Sequence, residues 1–302
     1  MGGSGQDIHV PVLAREIVHW LAAKPGGIYV DTTLGLGGHT TLIVEHQPDV
    51  QQVYGFEWDS EAAHLAADRL QGLENQVTVV NSSYSNLVHE LRQRGVEKVD
   101  GIIADFGVSS LQLDCGERGF SFRQDGPLDM RMSNQVETTA AELVAHVSEE
   151  QLADIFYHYG EERQARRIAR FVVQKRQEVS IRTTGQLAEI VAHAVPLKYH
   201  PKKIHVATKV FQALRIAVNR EFDNITSLIE SAPAVLAEGG HICLISFHSI
   251  EDRIIKQGLA ANPAYRVVSK KPIVPSEEEI ASNPRARSAK LRVARKRQTS
   301  AQ

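Results

Sequence analysis

Between residues 27 and 106, short apolar runs alternate with stretches in which apolar positions recur every three or four residues. Ile28-Tyr29-Val30, Val53-Tyr54-Gly55-Phe56, residues 76–80 and residues 99–104 are the runs, and their length predicts strands rather than helices. Residues 40–45 and 60–70 predict the helices between them, the second with Ala62, Ala63, Leu65, Ala66 and Leu70 available to one face. Continuous apolar strands separated by amphipathic helices specify a parallel sheet covered on both faces. After residue 110 the alternation stops. Residues 111–135 are rich in Gly, Asp and Arg with little periodicity, and residues 138–195 keep the helical period without strands. The segment 204–236 continues as helix, with Val206, Val210, Leu214, Ala217 and Val218 on one face. Gly239-Gly240 then turns into the apolar run 241–247, a helix follows over 250–259, and residues 264–268 and 289–294 predict closing strands around an acidic loop. The expected fold is therefore α/β, with residues 1–110 and 209–302 forming one discontinuous domain and residues 111–208 an inserted helical one. No internal repeat is visible.

Composition narrows the class. A chain of 302 residues with 42% apolar and 23% charged positions can bury a proper core and does not have the composition of a disordered protein. No run of about 18 apolar residues occurs, which excludes a membrane-spanning helix. Residues 1–10 contain neither a basic stretch nor an apolar one, so neither a secretory nor a transit leader is expected, and the cytoplasm is the expected compartment. Cys115 and Cys243 lack a Cys-x-x-Cys spacing and suggest no disulfide framework or zinc site. The net charge of -2 hides a division. Residues 1–110 carry 6 basic and 14 acidic side chains, residues 111–302 carry 28 and 22, and residues 160–220 alone carry 13 and 4. Such a local excess suits a polyanion, although a solvated helix face accounts for the charge equally well.

Three strand ends carry candidate chemistry. Asp31-Thr32-Thr33-Leu34-Gly35-Leu36-Gly37-Gly38-His39 follows the first strand, where open α/β sheets bind ligands and where glycines let a backbone approach a cofactor. Glu57 follows the second, at the position from which a carboxylate accepts hydrogen bonds from ribose hydroxyls. The two together imply an adenosine-containing cofactor. A dinucleotide would want Gly-x-Gly-x-x-Gly, and the last position is Thr40; an acid ahead of the glycines, Asp31, instead suits the cationic amino-acid end of S-adenosylmethionine. Asp105-Phe106-Gly107 closes the fourth strand. It matches a kinase triplet by letters, but neither a His-Arg-Asp loop nor a phosphate-binding loop accompanies it. In Ser246-Phe247-His248-Ser249-Ile250-Glu251-Asp252-Arg253, a helix start capped by Ser249 with Asp252 reaching back is as good a reading as a hydrolase triad. The histidines, including His200 and His205, show no ligand spacing, and no metal is expected.

The motifs taken together resemble a known family. They are His9-Val10-Pro11-Val12-Leu13, the glycine loop, Asp105-Phe106-Gly107-Val108-Ser109-Ser110-Leu111-Gln112-Leu113-Asp114, Glu117-Arg118-Gly119-Phe120-Ser121-Phe122, Asp125-Gly126-Pro127-Leu128-Asp129-Met130-Arg131-Met132, Tyr159-Gly160-Glu161-Glu162-Arg163, residues 208–221, the octad 246–253 and Asn283-Pro284-Arg285-Ala286-Arg287-Ser288. In these the chain resembles the bacterial ribosomal small-subunit RNA (cytosine-N4) methyltransferases, the RsmH/MraW family. The resemblance implies a class I S-adenosylmethionine-dependent methyltransferase sheet, Rossmann-like, with an inserted all-helical substrate-recognition domain. It implies methylation of the N4 amino group of a cytidine in the decoding region of 16S rRNA, with S-adenosylmethionine as cofactor. Carried over by position, the cofactor contacts fall on Gly37, Gly38, His39, Glu57, Tyr84, Asp105 and Gln112, and Glu57 stands where the family often has Asp. Asp105 is also the catalytic candidate. Arg163, Arg166, Arg167, Arg170, Lys202 and Lys203 are the candidates for holding RNA. The expected partner is 16S rRNA in the small ribosomal subunit, without a membrane; a homodimer is compatible with the sequence, which does not fix the assembly. A nicotinamide-dependent oxidoreductase, a methyltransferase of another RNA or of a small-molecule amine, and a non-catalytic ribosome-assembly factor stand as alternatives.

Overall fold

The structure is a computed structural model that describes residues 11–298, apart from the side chains of Ser110 and Leu111. His9 and Val10 of the opening motif, and the leader reading of residues 1–10, lie outside the described residues. In chain order the elements are α1 (Ala14–Leu21), β1 (Ile28–Asp31), α2 (Gly38–His46), β2 (Gln52–Phe56), α3 (Ser60–Arg69), β3 (Val77–Val80), α4 (Leu87–Gln93), β4 (Val99–Asp105), α5 (Ser110–Asp114), α6 (Ala140–His146), α7 (Glu149–His158), α8 (Ala165–Glu178), α9 (Thr184–Ala194), α10 (Thr208–Asn219), α11 (Glu221–Ser231), β5 (Leu236–Ser246), α12 (Ser249–Ala261), β6 (Tyr265–Val267), α13 (Glu277–Ser282) and β7 (Lys290–Lys296). They divide into two compact units, Met1–Gly107 with Asp223–Gln302, and Val108–Phe222.

The first unit is built on one sheet of order β3-β2-β1-β4-β5-β7-β6. β3, β2, β1, β4 and β5 run parallel, while β7 pairs antiparallel with both β5 and β6. This is the Rossmann-like α/β sheet that the resemblance implies. The chain winds outward from β1 to β3 and then crosses to β4, so the strand order reverses between β1 and β4; ligands bind at the carboxyl ends beside such a reversal. Tyr29, Val30, Val53, Phe56, Ile102, Ile103 and Leu244 are almost wholly buried, as strands covered on both faces require. Gly55 lies on β2 because a Cβ there would stand 2.5 Å from Leu34, which packs down from the glycine loop.

The second unit is helical. Its core gathers Leu152, Phe156, Ile168, Val172, Leu187 and Val191, with Leu128 and Met130 supplied by the irregular segment before α6. Capping boxes at Thr139/Glu142, Ser148/Gln151 and Thr183/Gln186 start α6, α7 and α9, satisfying N–H groups that a helix leaves open at its first turn.

Two expectations shift. The helical segment 204–236 breaks at Arg220, whose φ is 51°, into α10 and α11. Buried Asn219 holds the break: its Nδ2 donates to the carbonyls of Met130 (2.7 Å) and Arg215 (2.8 Å), and its Oδ1 accepts from Met132 N (2.7 Å). The sheet-bearing part also does not resume at residue 209. Val210, Phe211 and Leu214 of α10 pack in the helical core, so the helical unit extends to Phe222. Helices α1, α4 and α13 went unread because six to eight residues offer too few apolar repeats to show a period.

Candidate active site

The site is assembled at the carboxyl ends of β1, β2 and β4. Asp31, the last residue of β1, is buried, and its carboxylate accepts from Thr40 Oγ1 (2.9 Å) and Thr33 N (3.2 Å). Burial raises its pKa against the opposing pull of His39 and Thr40. The loop that follows turns through Gly35 and Gly37, with φ of 52° and 81°, into the first turn of α2. Positive φ at Gly37 is what lets the chain enter the helix there, and a Cβ would also stand 3.0 Å from Leu70. Around Gly35 a Cβ would meet nothing within 4 Å, so the backbone there is open to a ligand.

Glu57 is pinned beneath this loop. Its Oε2 accepts from Gly35 N and its Oε1 from Asp59 N, both at 2.9 Å, and the Trp58 N–H also bears on it; a carboxylate with about four acceptor sites still keeps capacity for a ligand. Burial pushes its pKa up to about 7, against the pull of the backbone N–H groups. The Asn81 side chain donates to the Glu57 carbonyl at 2.9 Å and fixes the strand end. Beyond β3, Ser83 caps a short 3-10 turn that carries Tyr84, whose ring lies 5.8 Å from that of Phe106.

Asp105 closes β4. Its N–H donates to Thr33 Oγ1 at 2.6 Å, tying the β4 end to the β1 loop. Its Oδ2 lies 4.0 Å from His39 Nδ1, while His39 Nε2 is 2.9 Å from the Val12 carbonyl, an arrangement that orients the ring. Asp105 Oδ1 is buried and has no hydrogen-bond partner among the described residues. Burial pushes the Asp105 pKa up to about 6; His39 opposes the rise, and the charges of Asp31 and Glu251 add to it.

The turn from β5 into α12 flanks this strand end, since Phe106 N donates to Ile245 O at 3.1 Å. Here the sequence expectation is corrected. His248, not Ser249, is the N-cap residue, and Glu251, not Asp252, closes the capping box. The cap falls one residue earlier because His248 is still extended, with φ of -139°. Wholly buried Glu251 accepts from Phe247 N at 2.8 Å, and its other oxygen lies 2.9 Å from His248 Nε2. Asp252 points elsewhere and pairs with Arg292 through contacts of 2.6 and 3.1 Å. Glu251 and Thr33 are the site residues that sequence reasoning missed. Their signal was positional, each lying within a few residues of a strand end at the sheet's reversal.

Gly37, Gly38, His39, Glu57, Tyr84 and Asp105 thus share one region of the sheet unit. Gln112 belongs to the other compact unit, on α5, where it is buried with Oε1 accepting from Ser109 N at 3.1 Å. Arg163, Arg166, Arg167 and Arg170 line the start of α8 and are exposed, Arg170 standing 3.6 Å from Glu149 and Arg167 5.5 Å over the Phe171 ring. Lys202 and Lys203 are exposed in the turn before α10. Among the described residues, no group of three or more His, Cys, Asp or Glu side chains is arranged to hold a metal ion, and no helix is long and apolar enough to cross a membrane.

The chain is 50% identical over 291 residues to the ribosomal RNA small subunit methyltransferase H of Desulfotalea psychrophila, covering 96% of this chain and 99% of that one. Proteins of the same name match from Cyanothece sp., at 50% identity over 96% of this chain and 95% of that one, and from Clostridioides difficile, at 44% over 95% and 98%. Among solved structures, an rRNA methylase from Streptococcus thermophilus is similar at a TM-score of 0.43 and 12% identity, over 94% of each chain. A family model, that of the MraW methylase family, matches residues 6–297, and with the sheet and the strand-end carboxylates in place the chain belongs to that family.

Proposed function

We propose that the protein methylates the N4 amino group of a cytidine in the decoding region of 16S rRNA, acting on the small ribosomal subunit, with S-adenosylmethionine as the methyl donor. The observation that carries this reading is Asp105, a half-buried carboxylate at the sheet's reversal whose buried Oδ1 has no partner among the described residues. The surrounding residues fit the cofactor. Glu57 offers a fixed carboxylate with open lone pairs, and the backbone at Gly35 offers unfilled space. When bound, S-adenosylmethionine supplies a methyl group activated on a sulfonium, with a neutral thioether as the leaving group.

Glu57 accepts hydrogen bonds from the ribose hydroxyls; Gly37, Gly38 and His39 form the loop wall; Tyr84 flanks the adenosine; Gln112 keeps the cofactor role that the resemblance implies. The lone pair of cytosine N4 is delocalised into the ring, so the chain must hold the nitrogen in line with the methyl carbon rather than wait for a strong nucleophile. Asp105 Oδ1 accepts one N4 hydrogen, turns the lone pair toward the methyl group and takes the proton released as the C–N bond forms. Its raised pKa, about 6, matches that task at neutral pH: it is mostly ionised beforehand, yet more basic than an ordinary carboxylate.

The helical unit is proposed as the substrate-recognition domain, since a buried base must leave its stack to react and its flanking backbone must then be held. Arg163, Arg166, Arg167, Arg170, Lys202 and Lys203 are the proposed phosphate contacts. Work on a ribosomal substrate fits the cytoplasm as its compartment; a homodimer is compatible with the sequence, and sedimentation velocity reads the assembly directly. The reading is tested by transfer of labelled methyl to purified subunits lacking the modification, with the product nucleoside identified by mass spectrometry. N4-methylcytidine at one position supports it. A different product nucleoside overturns the substrate assignment.

A further inference from the structure

The helical unit presents a second basic feature, distinct from the arginines of α8. Between buried Val195 and buried Val206 the chain runs Pro196-Leu197-Lys198-Tyr199-His200-Pro201-Lys202-Lys203-Ile204-His205. Leu197 is 84% exposed, Tyr199 53% and Ile204 47%. The segment is ordered by its own contacts rather than by burial: His200 Nε2 lies 2.9 Å from the Val195 carbonyl, Ala207 N donates to His205 Nδ1 at 3.2 Å, and the His205 ring stands 4.8 Å from that of Phe122. Single exposed apolar residues are ordinary on any protein. Three large ones interleaved with Lys198, Lys202 and Lys203 on a segment held at both ends form a surface.

Its charge selects the partner. No acidic residue occurs between Glu189 and Glu221, so within this stretch the lysines meet no neighbouring carboxylate in sequence, a local charge balance that favours a polyanion over a protein of mixed charge. Lys198 Nζ lies 4.9 Å from the Tyr199 ring centroid, and Tyr199 is 53% exposed, so the ring is within reach of a stacking partner. Aromatic and apolar side chains among lysines are the combination that grips unpaired nucleotides, because bases stack on the rings while the phosphates meet the cations. Paired RNA hides its base faces and gives these side chains nothing to stack on.

We propose that residues 197–204 form a second contact surface for the substrate RNA, with Tyr199 and Leu197 packing on an unpaired base and Lys198, Lys202 and Lys203 on the flanking phosphates. This rests on the RNA-methylating reading and adds to it residues that read unpaired nucleotides rather than charge alone. The test uses the full chain, a labelled single-stranded oligoribonucleotide of mixed sequence, and unmethylated small subunits. Tyr199→Ala should bind the oligoribonucleotide about tenfold more weakly with an unchanged salt slope, and Tyr199→Phe should restore binding. The double variant Lys202→Ala, Lys203→Ala should instead flatten the slope of log affinity against log salt by about 1.4. Calorimetric affinity for S-adenosylmethionine should stay unchanged in all of them, which shows that the variants are folded. If the unaltered protein binds RNA and Tyr199→Ala binds equally well, the surface proposal is overturned and the methylation reading stands. If Leu197→Ser turns a dimer into a monomer without altering RNA affinity, the patch is an interface between copies and the proposal is likewise overturned. Should the unaltered chain neither bind the oligoribonucleotide nor methylate subunits, the methylation reading itself fails.

Discussion

Glu57 and Asp105 are both strand-end carboxylates with raised pKa values, yet their surroundings assign them opposite tasks. Glu57 is saturated by backbone N–H groups on one side and is fixed as an acceptor for neutral hydroxyls. Because its pKa is about 7, the ionised form that accepts best is lost as pH falls through neutrality. Affinity for S-adenosylmethionine should therefore decline below pH 7, approaching tenfold per pH unit, and calorimetry across pH 6 to 8 reads it. Glu57→Gln places an NH₂ group against one of two backbone donors. It should weaken cofactor binding about tenfold or more and flatten that pH dependence. An unchanged affinity would separate Glu57 from the cofactor. Of the two carboxylates, position was legible in the sequence, since strand ends beside glycines are where an α/β sheet binds ligands. Their electrostatics were not, because the burial that chiefly raises both pKa values exists only once the chain is folded, and the smaller effects of His39, Asp31 and Glu251 on Asp105 come from other segments of the chain.

At the scale of elements, the glycine loop and the β5–α12 turn hold the site. Gly37→Ala must adopt a φ near 81° and fit a Cβ 3.0 Å from Leu70. It should lose about 2 kcal/mol in denaturant unfolding, with weakened cofactor binding. A variant as stable as the parent would show that the turn does not require glycine. Asp252 and Arg292, both largely buried, tie α12 to β7, which pairs antiparallel with β5. Burial raises the Asp252 pKa, but the bonds from Arg292 and the charge of Lys290 outweigh it and hold the carboxyl below the usual range. Its stabilising share is thus present above about pH 4 and is lost as pH falls through the depressed value. Asp252→Asn should cost roughly 3 kcal/mol at neutral pH and much less in acid, read by denaturant unfolding at both pH values. The capping register was misread because Ser and Asp are the commoner capping residues, whereas here a buried Glu and a His fill those places. Asn219 likewise reads as a helical residue until its hydrogen bonds to the distant Met130 and Met132 backbone are seen to accompany the end of α10.

For the whole molecule, the division of charge follows the division of structure. The acidic first third supplies most of the parallel strands and the site carboxylates, and the basic middle forms the helical unit. Family membership supplants the oxidoreductase alternative, and the incomplete pyrophosphate loop is its local counterpart in the sequence. The proposed RNA contacts predict a salt signature. Replacing Arg163, Arg166 and Arg170 together by Ala should reduce the salt slope of RNA binding by about 2, while cofactor affinity holds. An unaltered slope would leave these arginines as surface charge.

The central claim is that Asp105 acts on the amine and not merely on the cofactor. Asp105→Asn keeps the shape of the side chain and removes its charge and basicity, so single-turnover methyl transfer at saturating cofactor and subunits isolates its chemical role. The account predicts a single-turnover rate reduced more than about a hundredfold, far beyond any loss of cofactor affinity. Full single-turnover rate in that variant would contradict it.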